Sequence, residues 1–539
     1  MRQSATSTIT HAVTVAAGVY APGHVGELTQ YLPFEVVDDV LEQTGTMQRR
    51  LRDLPSRIGV YFLLALGLFP HLGYARVWQK LTAGLTGMPV ARPSEKALRD
   101  LRRRLGPAPI KALFEVVAGP LAQPHTPGVR FRGLRTVAFD GCSSIKVPDT
   151  DRNRSWLGRI KYRMGWAGYP TLRLMTLVET GTRGLLGATL GSAGDRDEAT
   201  QARRLLPLLR PGMLLLLDRG FDGGAFFAEV TATGAMLLAR IKSTRNPPVL
   251  AHLPDGSYLS CMDGLTVRII EAVMTLTGAD GSRVRDRYRL VTTLLDHRRF
   301  PAADLIGLYH ERWEIESAYL ALKHTLLDGH VLRSGDRPGL EQELWALLTL
   351  YQLLRMAMVT AVETRPGTNP DRASFTTARE AAREELTAAR GICPDGPADL
   401  PGVIGRAVLA TLLPARRARY SARKVKCATS RYLNRDDGRP ATATAITAID
   451  IAVHTPPIDR RRRKPRRDPN TPRTPQPATR RHRIVEIMNA DPNRSWTGRE
   501  LAQQLQVPRR NMLTQLAEWT RLGFLARTGA GIYNLATPP

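Results

Sequence analysis

The stretch "GMLLLLDRGF" (212–221) decides the fold. Its five apolar residues, 213–217, show no polar alternation, so they predict a strand that is buried on both faces, as in the centre of a sheet. The strand ends at Asp218. An ionised carboxylate at the end of a buried strand is costly unless a partner compensates its charge. The stretch therefore predicts a central sheet, and it predicts that Asp218 has a partner that compensates its charge.

The segments around this strand predict further strands of the same sheet. "RTVAFDG" (135–141) is a short apolar strand that ends in Asp140, and "GAMLLARI" (234–241) follows the central strand. A pair of strands is predicted from "TLRLMTLVET" (171–180) and "RGLLGATL" (183–190), since both are apolar and a glycine turn separates them. With the helix predicted to begin at Glu198, these segments indicate a mixed α/β core.

The rest of the chain changes composition several times. Apolar residues at helical intervals dominate the first 130 residues, and short β-like pieces follow the core. Arg460 to Arg483 contains eleven Lys or Arg, one Asp and five Pro, so it cannot bury a core. The predicted order is a helical, DNA-binding N-terminal domain (1–130), the first part of the core (131–243), a β-rich insertion (244–300), the second part of the core (301–365), a helical and basic region (366–455), a disordered basic linker (456–483) and a winged-helix-like module (484–539).

Net charge gives the first indication of a partner. The 539 residues carry a formal charge of +28 and a pI of about 10.7. A protein this basic repels itself unless it meets a polyanion, and nucleic acid is the usual one. Four widely spaced cysteines indicate a reducing compartment, and the longest apolar run, 59–69, is too short to span a bilayer. We therefore expect a cytoplasmic, nucleoid-associated protein with no membrane partner.

The C-terminal module has the element order of a winged helix. Its second predicted helix begins after Thr497, with Glu500 three residues further on, the pattern of a capping box. A third helix and a possible two-stranded wing follow. The alternative is a small helical oligomerisation module. On the DNA-binding interpretation, the recognition helix carries Arg509, Arg510, Asn511 and Gln515.

The stretch "YHERWEIESAYLALK" (309–323) predicts a helix with one polar stripe. At about 100° per residue, Tyr309, Arg312, Glu316 and Lys323 fall within an arc of roughly 60°. Such a stripe is either a solvated face or one wall of an active site.

Three carboxylates are candidates for chemistry: Asp140, Asp218 and Glu316. Two or three carboxylates suit Mg²⁺ or Mn²⁺, which prefer hard oxygen ligands. The alternative is that each acid caps a turn or pairs with a neighbouring arginine. Glu198 is a weaker candidate for a place near this group, and the alternative, that it lies elsewhere, is favoured.

The motifs together resemble the IS4 family of DDE transposases over roughly residues 25–435. The spacing Y-x2-R-x3-E-x6-K at 309–323 is similar to the family signature around its catalytic Glu. Three earlier blocks match in order: "DGCSSIKVPDTDRNRSWLG" (140–158), "YPTLRLMTLVETGTRGLLGA" (169–188) and "LLLLDRGF" (214–221).

The resemblance implies a ribonuclease-H-like core interrupted by the insertion. It implies that Asp140, Asp218 and Glu316 are catalytic and bind two Mg²⁺ ions, with Mn²⁺ as the possible substitute. Phosphates near the cut would be held by Tyr309, Arg312 and Lys323. The implied partners are double-stranded DNA, both the terminal repeats of an insertion sequence and target DNA, bound by a dimer.

Two alternatives of function remain at this level: a non-catalytic, transposase-derived DNA-binding regulator, and a nuclease of the same fold. One departure concerns base stacking. Relatives that form DNA hairpins can use a Trp of the insertion, and this chain has none between Trp166 and Trp313. Tyr258 or Tyr288 is the candidate replacement, because any aromatic face can stack on a base.

Overall fold

A computed structural model describes most of the chain and divides it into two compact units, 1–459 and 460–539. Of the predicted stripe, Arg312 and Glu316 lie outside the described residues, as do 457–479 of the predicted linker. The described residues are 12–15, 18–48, 50, 53–159, 161–162, 165–191, 198–242, 244–311, 319, 321–389, 401–414, 419–420, 424–426, 432–434, 444–456, 480–491, 494–521, 524–529 and 531–535.

Helices form most of the N-terminal region and cover one face of the sheet. In the first unit they are α1 Phe34–Gln43, α2 Ser56–Leu68, α3 Tyr74–Thr82, α4 Glu95–Leu105, α5 Ala108–Val117, α6 Asp151–Leu157, α7 Glu198–Arg203, α8 Gly224–Ala232, α9 Ala302–Glu311, α10 Arg337–Glu363, α11 Phe375–Ala388 and α12 Gly402–Ala410. Short 3-10 turns span Leu28–Tyr31, Leu206–Leu208, Arg219–Phe221 and Pro370–Arg372, and a π-helix spans Ala321–Leu326.

The long helix α10 is the centre of the helical layer. It is the one helix among the described residues that is long and apolar enough to cross a membrane, with a mean hydropathy of 1.4 over its most apolar window. However, 89% of that window is buried inside the protein, and α2, α5, α11 and α12 pack against it. Its composition therefore reflects a position in the core.

The predicted basic face of α4 is only partly solvated. Arg102 is 6% exposed and donates to the side chains of Gln342 and Glu343 on α10, at 3.0 Å each. Arg103, by contrast, is exposed and faces Asp100 at 3.6 Å. One arginine of this run therefore joins the N-terminal helices to the core helix.

The strands of the first unit form one large sheet and three small ribbons. They are β1 Ala12–Thr14, β2 Tyr20–Pro22, β3 Arg130–Phe131, β4 Leu134–Lys146, β5 Lys161–Tyr162, β6 Gly165–Trp166, β7 Thr171–Glu179, β8 Leu185–Gly191, β9 Met213–Leu217, β10 Met236–Arg240, β11 Ala251–His252, β12 Tyr258–Met262, β13 Leu265–Gly278, β14 Arg283–Thr292, β15 Arg419–Tyr420, β16 Lys424–Lys426, β17 Tyr432–Asn434 and β18 Thr444–His454.

The large sheet has twelve strands, and its main path runs β11-β12-β13-β14-β10-β9-β4-β7-β8. The central strands β4, β9 and β10 are parallel, whereas the other pairs are antiparallel. All five residues of β9 are buried, because apolar cores cover both faces of the strand. The strands predicted around "GMLLLLDRGF" are thus confirmed, and the fold is mixed α/β. One end is corrected, because β4 was predicted to end at Asp140 and continues to Lys146.

The region predicted as a β-rich insertion contains four strands, and a fifth strand from a distant part of the chain lies beside them. Strands β11 to β14 fall within 244–300, as predicted. Beside them lies β18, which pairs with β13 from Glu271–His454 to Gly278–Ile446. The region 366–455 was predicted to be helical and basic, so β18 is a correction. Its alternation of Ile and Val with small or polar residues has the period of a half-buried strand.

The second unit contains the predicted helices and strands. They are α13 Arg480–Asn489, α14 Gly498–Gln504, α15 Arg509–Arg521, β19 Trp496–Thr497, β20 Leu525–Gly529 and β21 Ile532–Leu535, with strand order β19-β21-β20. The predicted capping box is present: the backbone N–H of Glu500 donates to the Thr497 hydroxyl, and the Glu500 carboxylate accepts from the backbone N–H of Thr497.

Candidate active site

Asp140 and Asp218 lie level with each other on neighbouring strands. β4 and β9 run parallel, and their register pairs Ala138 with Leu216. Each acid is two residues further along the chain than its partner in that pair. Because parallel strands advance in the same direction, both acids lie at the same level, where β9 ends and β4 continues. We call this place the edge of the sheet at the acids.

Alternation along the strands places the acids toward the helical layer. Asp140 shares its face of β4 with Cys142, whereas Phe139 points to the opposite face. Cys142 and Leu216 belong to the core that includes α9 and α10, while Phe139 and Leu217 belong to the separate core on the other side. The face of β4 that carries Asp140 is thus the face against which α9 and α10 pack.

A tight turn fixes the carboxylate of Asp218. Asp218 caps the 3-10 turn Arg219–Phe221, and its Oδ1 accepts a hydrogen bond from the backbone N–H of Gly220 at 2.7 Å. A hydrogen bond to an ionised acceptor is stronger than one between neutral groups. This contact orients one oxygen of Asp218, and it is the turn cap that the alternative interpretation of the acids predicts.

Glu198 is a third described carboxylate close to these acids, a position that the sequence left as the less favoured alternative. It begins α7, and its side chain reaches the backbone next to each acid. A Cβ atom added to Gly141 would lie 3.0 Å from its Oε1, and one added to Gly220 would lie 3.1 Å from its Oε2. Glycine at both positions therefore leaves the space that this carboxylate occupies.

Two tyrosines, Tyr309 and Tyr319, donate hydrogen bonds to the backbone of β4 and β9, the strands associated with Asp140 and Asp218. The hydroxyl of Tyr319 donates to the backbone carbonyl of Asp140 at 2.6 Å, and the hydroxyl of Tyr309 donates to the carbonyl of Leu217 at 2.9 Å. In the sequence, Glu316 lies between these tyrosines. β9 is therefore hydrogen-bonded to a residue that precedes Glu316 in the sequence, and β4 to a residue that follows it. Sequence analysis missed this arrangement, because the carbonyl groups involved leave no sequence signal.

The environment of Tyr319 keeps its hydroxyl protonated. Burial, followed by the negative charge of Asp140, raises the pKa of Tyr319 well above its usual value. The hydroxyl also lies 2.9 Å from the Oγ1 of Thr176 on β7. A protonated phenol can donate a hydrogen bond, so the bond from Tyr319 to the Asp140 carbonyl does not depend on pH near neutrality.

The position of Tyr309 corrects one expectation. We expected its hydroxyl to contact a DNA phosphate. Tyr309 is only 5% exposed, and its hydroxyl is bonded to the Leu217 carbonyl inside the protein. In this structure Tyr309 therefore supports the wall of the site rather than reaching DNA.

Lys323 lies beside the first acid strand on the π-helix Ala321–Leu326. Its Nζ donates to the hydroxyl of Ser144 at 2.9 Å, and Ser144 is four residues beyond Asp140 on β4. The ammonium is half-buried at this edge. A contact between Lys323 and phosphate stays a prediction, and the π-helix means that the assumed 100° per residue does not extend to Lys323.

Neither tyrosine proposed for base stacking is available for it. Tyr258 is 2% exposed and donates its hydroxyl to Glu271. Tyr288 is 7% exposed, its hydroxyl lies 3.0 Å from Nδ1 of His310, and the guanidinium of Arg240 lies 4.4 Å from its ring centre. Both expectations were wrong, because both rings are already packed.

The donor chemistry at the edge suits a hard divalent cation. Asp140 and Asp218 supply the carboxylate oxygens that Mg²⁺ and Mn²⁺ prefer. Within the described part of the chain, no group of three His, Cys, Asp or Glu side chains could hold a metal ion. The third predicted ligand, Glu316, lies outside the described residues. The two acids therefore fit the predicted site as far as the structure describes it.

The predicted DNA contacts of the second unit lie at the start of α15. Arg509 begins this helix and is exposed, as is Asn511. The side chain of Arg510 is outside the described residues. An exposed helix N-terminus with a cation is compatible with phosphate contact, which stays a prediction for Arg509 and Arg510.

Replacing Tyr319 by Phe should slow DNA cleavage and lower stability together. The change removes the shorter of two side-chain hydrogen bonds to the Asp140 carbonyl, the other being from Thr176 at 3.5 Å, and one lost hydrogen bond costs about 0.5–1.5 kcal/mol. The free energy of unfolding comes from urea denaturation, and cleavage is assayed on end DNA.

Tyr61→Phe is the matched control, since Tyr61 is also buried and donates to a backbone carbonyl, that of Leu32, at 2.9 Å. Equal losses of cleavage in the two variants at equal loss of stability would contradict a positioning role for Tyr319.

Comparison with known proteins agrees with this geometry. Residues 22–115 match the family model for the insertion element 4 transposase N-terminal region, and residues 132–353 match that for the transposase DDE domain. Transposase InsG for insertion sequence element IS4, from Escherichia coli (strain K12), is 26% identical over 311 residues, covering 55% of this chain and 68% of the relative.

Among solved structures, the piggyBac transposase in a synaptic complex with hairpin DNA covers 72% of this chain and 84% of its own. It is 9% identical, with a TM-score of 0.37, which is too low to support an argument about fold or function.

The matched DDE domain contains both strands that carry the level acids, and this defines the class of the protein: it is a DDE transposase. The N-terminal match and the InsG relative make the assignment more specific. The chain belongs to the IS4 family.

Proposed function

We propose that this transposase binds the ends of an insertion sequence, cleaves the DNA strands there and joins them to target DNA. The supporting observation is the level placement of Asp140 and Asp218 at one edge of the sheet. We assign Asp140, Asp218 and Glu316 as the metal ligands of a ribonuclease-H-like core. The N-terminal helical domain and the winged-helix-like module are assigned to DNA binding, in a cytoplasmic protein that works at the nucleoid.

Some residues of the proposed site bind the metal ions, and others position the residues that do so. A pair of divalent cations, Mg²⁺ or Mn²⁺, supplies activation of the attacking oxygen and stabilisation of the leaving oxygen. The acids hold the cations, while the N–H of Gly220 orients Asp218 and the hydroxyl of Tyr319 fixes the backbone at Asp140. Arg312 and Lys323 are proposed to bind phosphates beside the cut, where charge-assisted bonds are strong.

The experiment uses the purified protein, linear DNA that carries the terminal inverted repeats flanking its gene, and Mg²⁺. We expect strand cleavage at the repeat ends, no cleavage in EDTA, and joining of the freed 3′ ends to a target plasmid. A dimer should form on paired ends, seen as a doubled protein mass on DNA. End binding without nicking in Mg²⁺ or Mn²⁺ would instead identify a DNA-binding regulator, and nicking without joining a nuclease.

A further inference from the structure

An exposed row of arginines runs along one face of the insertion. β14 has the sequence "RVRDRYRLVT" (283–292), with arginine at every second position from 283 to 289. Side chains two residues apart on a strand share a face. We call Arg283, Arg285 and Arg287 the arginine row; all three are exposed.

The arginine row carries uncompensated charge. The next arginine along the strand, Arg289, pairs with Glu271 on β13 at 3.1 Å. Within the described residues, the side chains of the arginine row form no ion pair like that of Arg289 and no hydrogen bond to another side chain. Its guanidinium groups are therefore available to an external anion.

The surface beside the row is low and nearly neutral. The register places Thr277, Thr275 and Val273 of β13 opposite Arg283, Arg285 and Arg287. One strand further, Ala448, Asp450 and Ala452 of β18 continue the same face, and all three are exposed. Asp450 is the one acid on these nine positions. A long polyanion can therefore approach the row without meeting bulky side chains.

The spacing of the row suits a nucleic acid backbone. Two residues of an extended strand span about 6.8 Å, at about 3.4 Å each. Phosphates of one DNA strand follow each other at about 3.4 Å along the helix axis, so every second phosphate advances by the same distance. The spacing of the row is thus of the same order as the spacing of backbone phosphates, so successive guanidinium groups can reach different phosphates of one DNA strand.

The row lies on the face of the sheet opposite the acids. Even-numbered residues of β14 share the face of Asp140, as a chain of register pairs shows: Thr292 with Leu238, Leu238 with Leu216, and Leu216 with Ala138. Odd-numbered residues, including the row, point the other way. A DNA duplex bound to the arginine row would therefore lie on the opposite face of the sheet from DNA bound at the acids.

We propose that the arginine row binds the phosphate backbone of target DNA during strand transfer. The inference rests on the proposed function and assigns the insertion a separate role in it. Phosphate contacts carry no base information, which suits a duplex whose sequence is not fixed in advance. Terminal repeats, by contrast, must be recognised by sequence, and the face around the row presents only Thr, Val, Ala and Asp side chains beside its arginines.

The test compares the unmodified protein with the triple variant R283Q/R285Q/R287Q. Binding to a duplex without terminal repeats is measured from 50 to 300 mM salt. Each lost phosphate contact lowers the slope of log K against log salt by about 0.9, so the variant should lose about 2–3 from its slope. Strand transfer of pre-cleaved ends into a plasmid should fall by about tenfold, whereas end cleavage should stay unchanged.

Two controls isolate the row. The charge-matched variant R210Q/R298Q/R365Q removes three exposed cations that lie outside the row and outside both proposed DNA-binding domains, and it should leave target joining intact. The variant R283K/R285K/R287K keeps the charge and should retain the slope, which separates loss of phosphate contacts from misfolding.

An unchanged slope in the glutamine variant would overturn the proposal, as would a parallel fall in end cleavage and joining. The binding measurement requires no cleavage, so it decides the role of the row even if the proposed cleavage fails.

Discussion

Asp140→Asn should reduce Mg²⁺-dependent cleavage at the element ends by about 10⁴-fold, the scale seen when a catalytic residue is removed from a group that acts as a unit. Asparagine keeps the shape of the side chain but loses its charge, so it cannot hold a divalent cation equally well. Because Asp140 and Asp218 lie level on parallel strands, Asp218→Asn should have the same effect. Binding to end DNA should remain, since the backbone and the helical layer are unchanged.

The measurement pairs a cleavage assay with gel shifts on the same end DNA. Asp304→Asn serves as the control, because Asp304 is an exposed carboxylate that pairs with Arg132 away from the acids. Its cleavage should match the unmodified protein. Normal cleavage by either active-site variant would refute the assignment of the acids, and loss of end binding along with cleavage would point to a folding defect.

Arg268→Ala should destabilise the protein by about 3–5 kcal/mol, the cost of breaking a buried ion pair from one side. Arg268 is fully buried and pairs with Asp255. It also donates to the Ser257 hydroxyl at 2.8 Å and to the carbonyl of Phe300 at 2.7 Å. Denaturation by guanidinium measures the loss.

The Arg268–Asp255 ion pair connects the predicted insertion (244–300) to the start of α9. The carboxylate of Asp255 accepts a hydrogen bond from the backbone N–H of Ala302 at 2.9 Å, and Ala302 is the first residue of α9, the helix that carries Tyr309. The exposed pair Arg132–Asp304 gives the comparison, since Arg132→Ala should cost below about 1 kcal/mol. Equal costs would show that burial adds nothing at Arg268.

The effect of Arg268→Ala should depend on pH. Burial opposes the charge on Asp255, but hydrogen bonds from Ser257 and the charge of Arg268 outweigh it and lower the pKa of Asp255. A lowered acid pKa stabilises the fold above the unfolded value of about 3.9 and stops doing so as pH falls through the folded value. The difference between the two proteins should therefore shrink below about pH 4.

Local sequence patterns were sufficient for the central strands and for the end of β9 before Asp218, but not for the end of β4, which lies at Lys146 rather than at Asp140. Apolar runs that end in Asp140 and Asp218 need no distant information, because a continuous apolar strand fits only the middle of a sheet. The strand β18 was missed, although its period-2 pattern is visible, since it becomes a strand by pairing with β13 about 170 residues earlier in the chain.

The contacts that support the site were beyond sequence analysis for a physical reason. Nothing in the sequence around Tyr319 indicates its partner, which is a backbone carbonyl 179 residues away. Backbone groups are identical at every position, so a pattern of side chains cannot single one out. Arg268 did leave a signal, as one charge within an apolar strand, and an unmatched buried charge requires a partner such as Asp255.

The late strand β18 has a consequence for synthesis. The chain leaves the ribosome in order, at about 5–20 residues per second, so roughly 10–35 seconds separate the emergence of β13 from that of β18. During that interval the half of β13 that β18 will cover, Glu271–Gly278, is an open edge, the kind of strand that recruits other chains. A product that stops before Thr444 keeps this edge permanently, so premature termination should yield aggregation-prone protein rather than a shortened transposase.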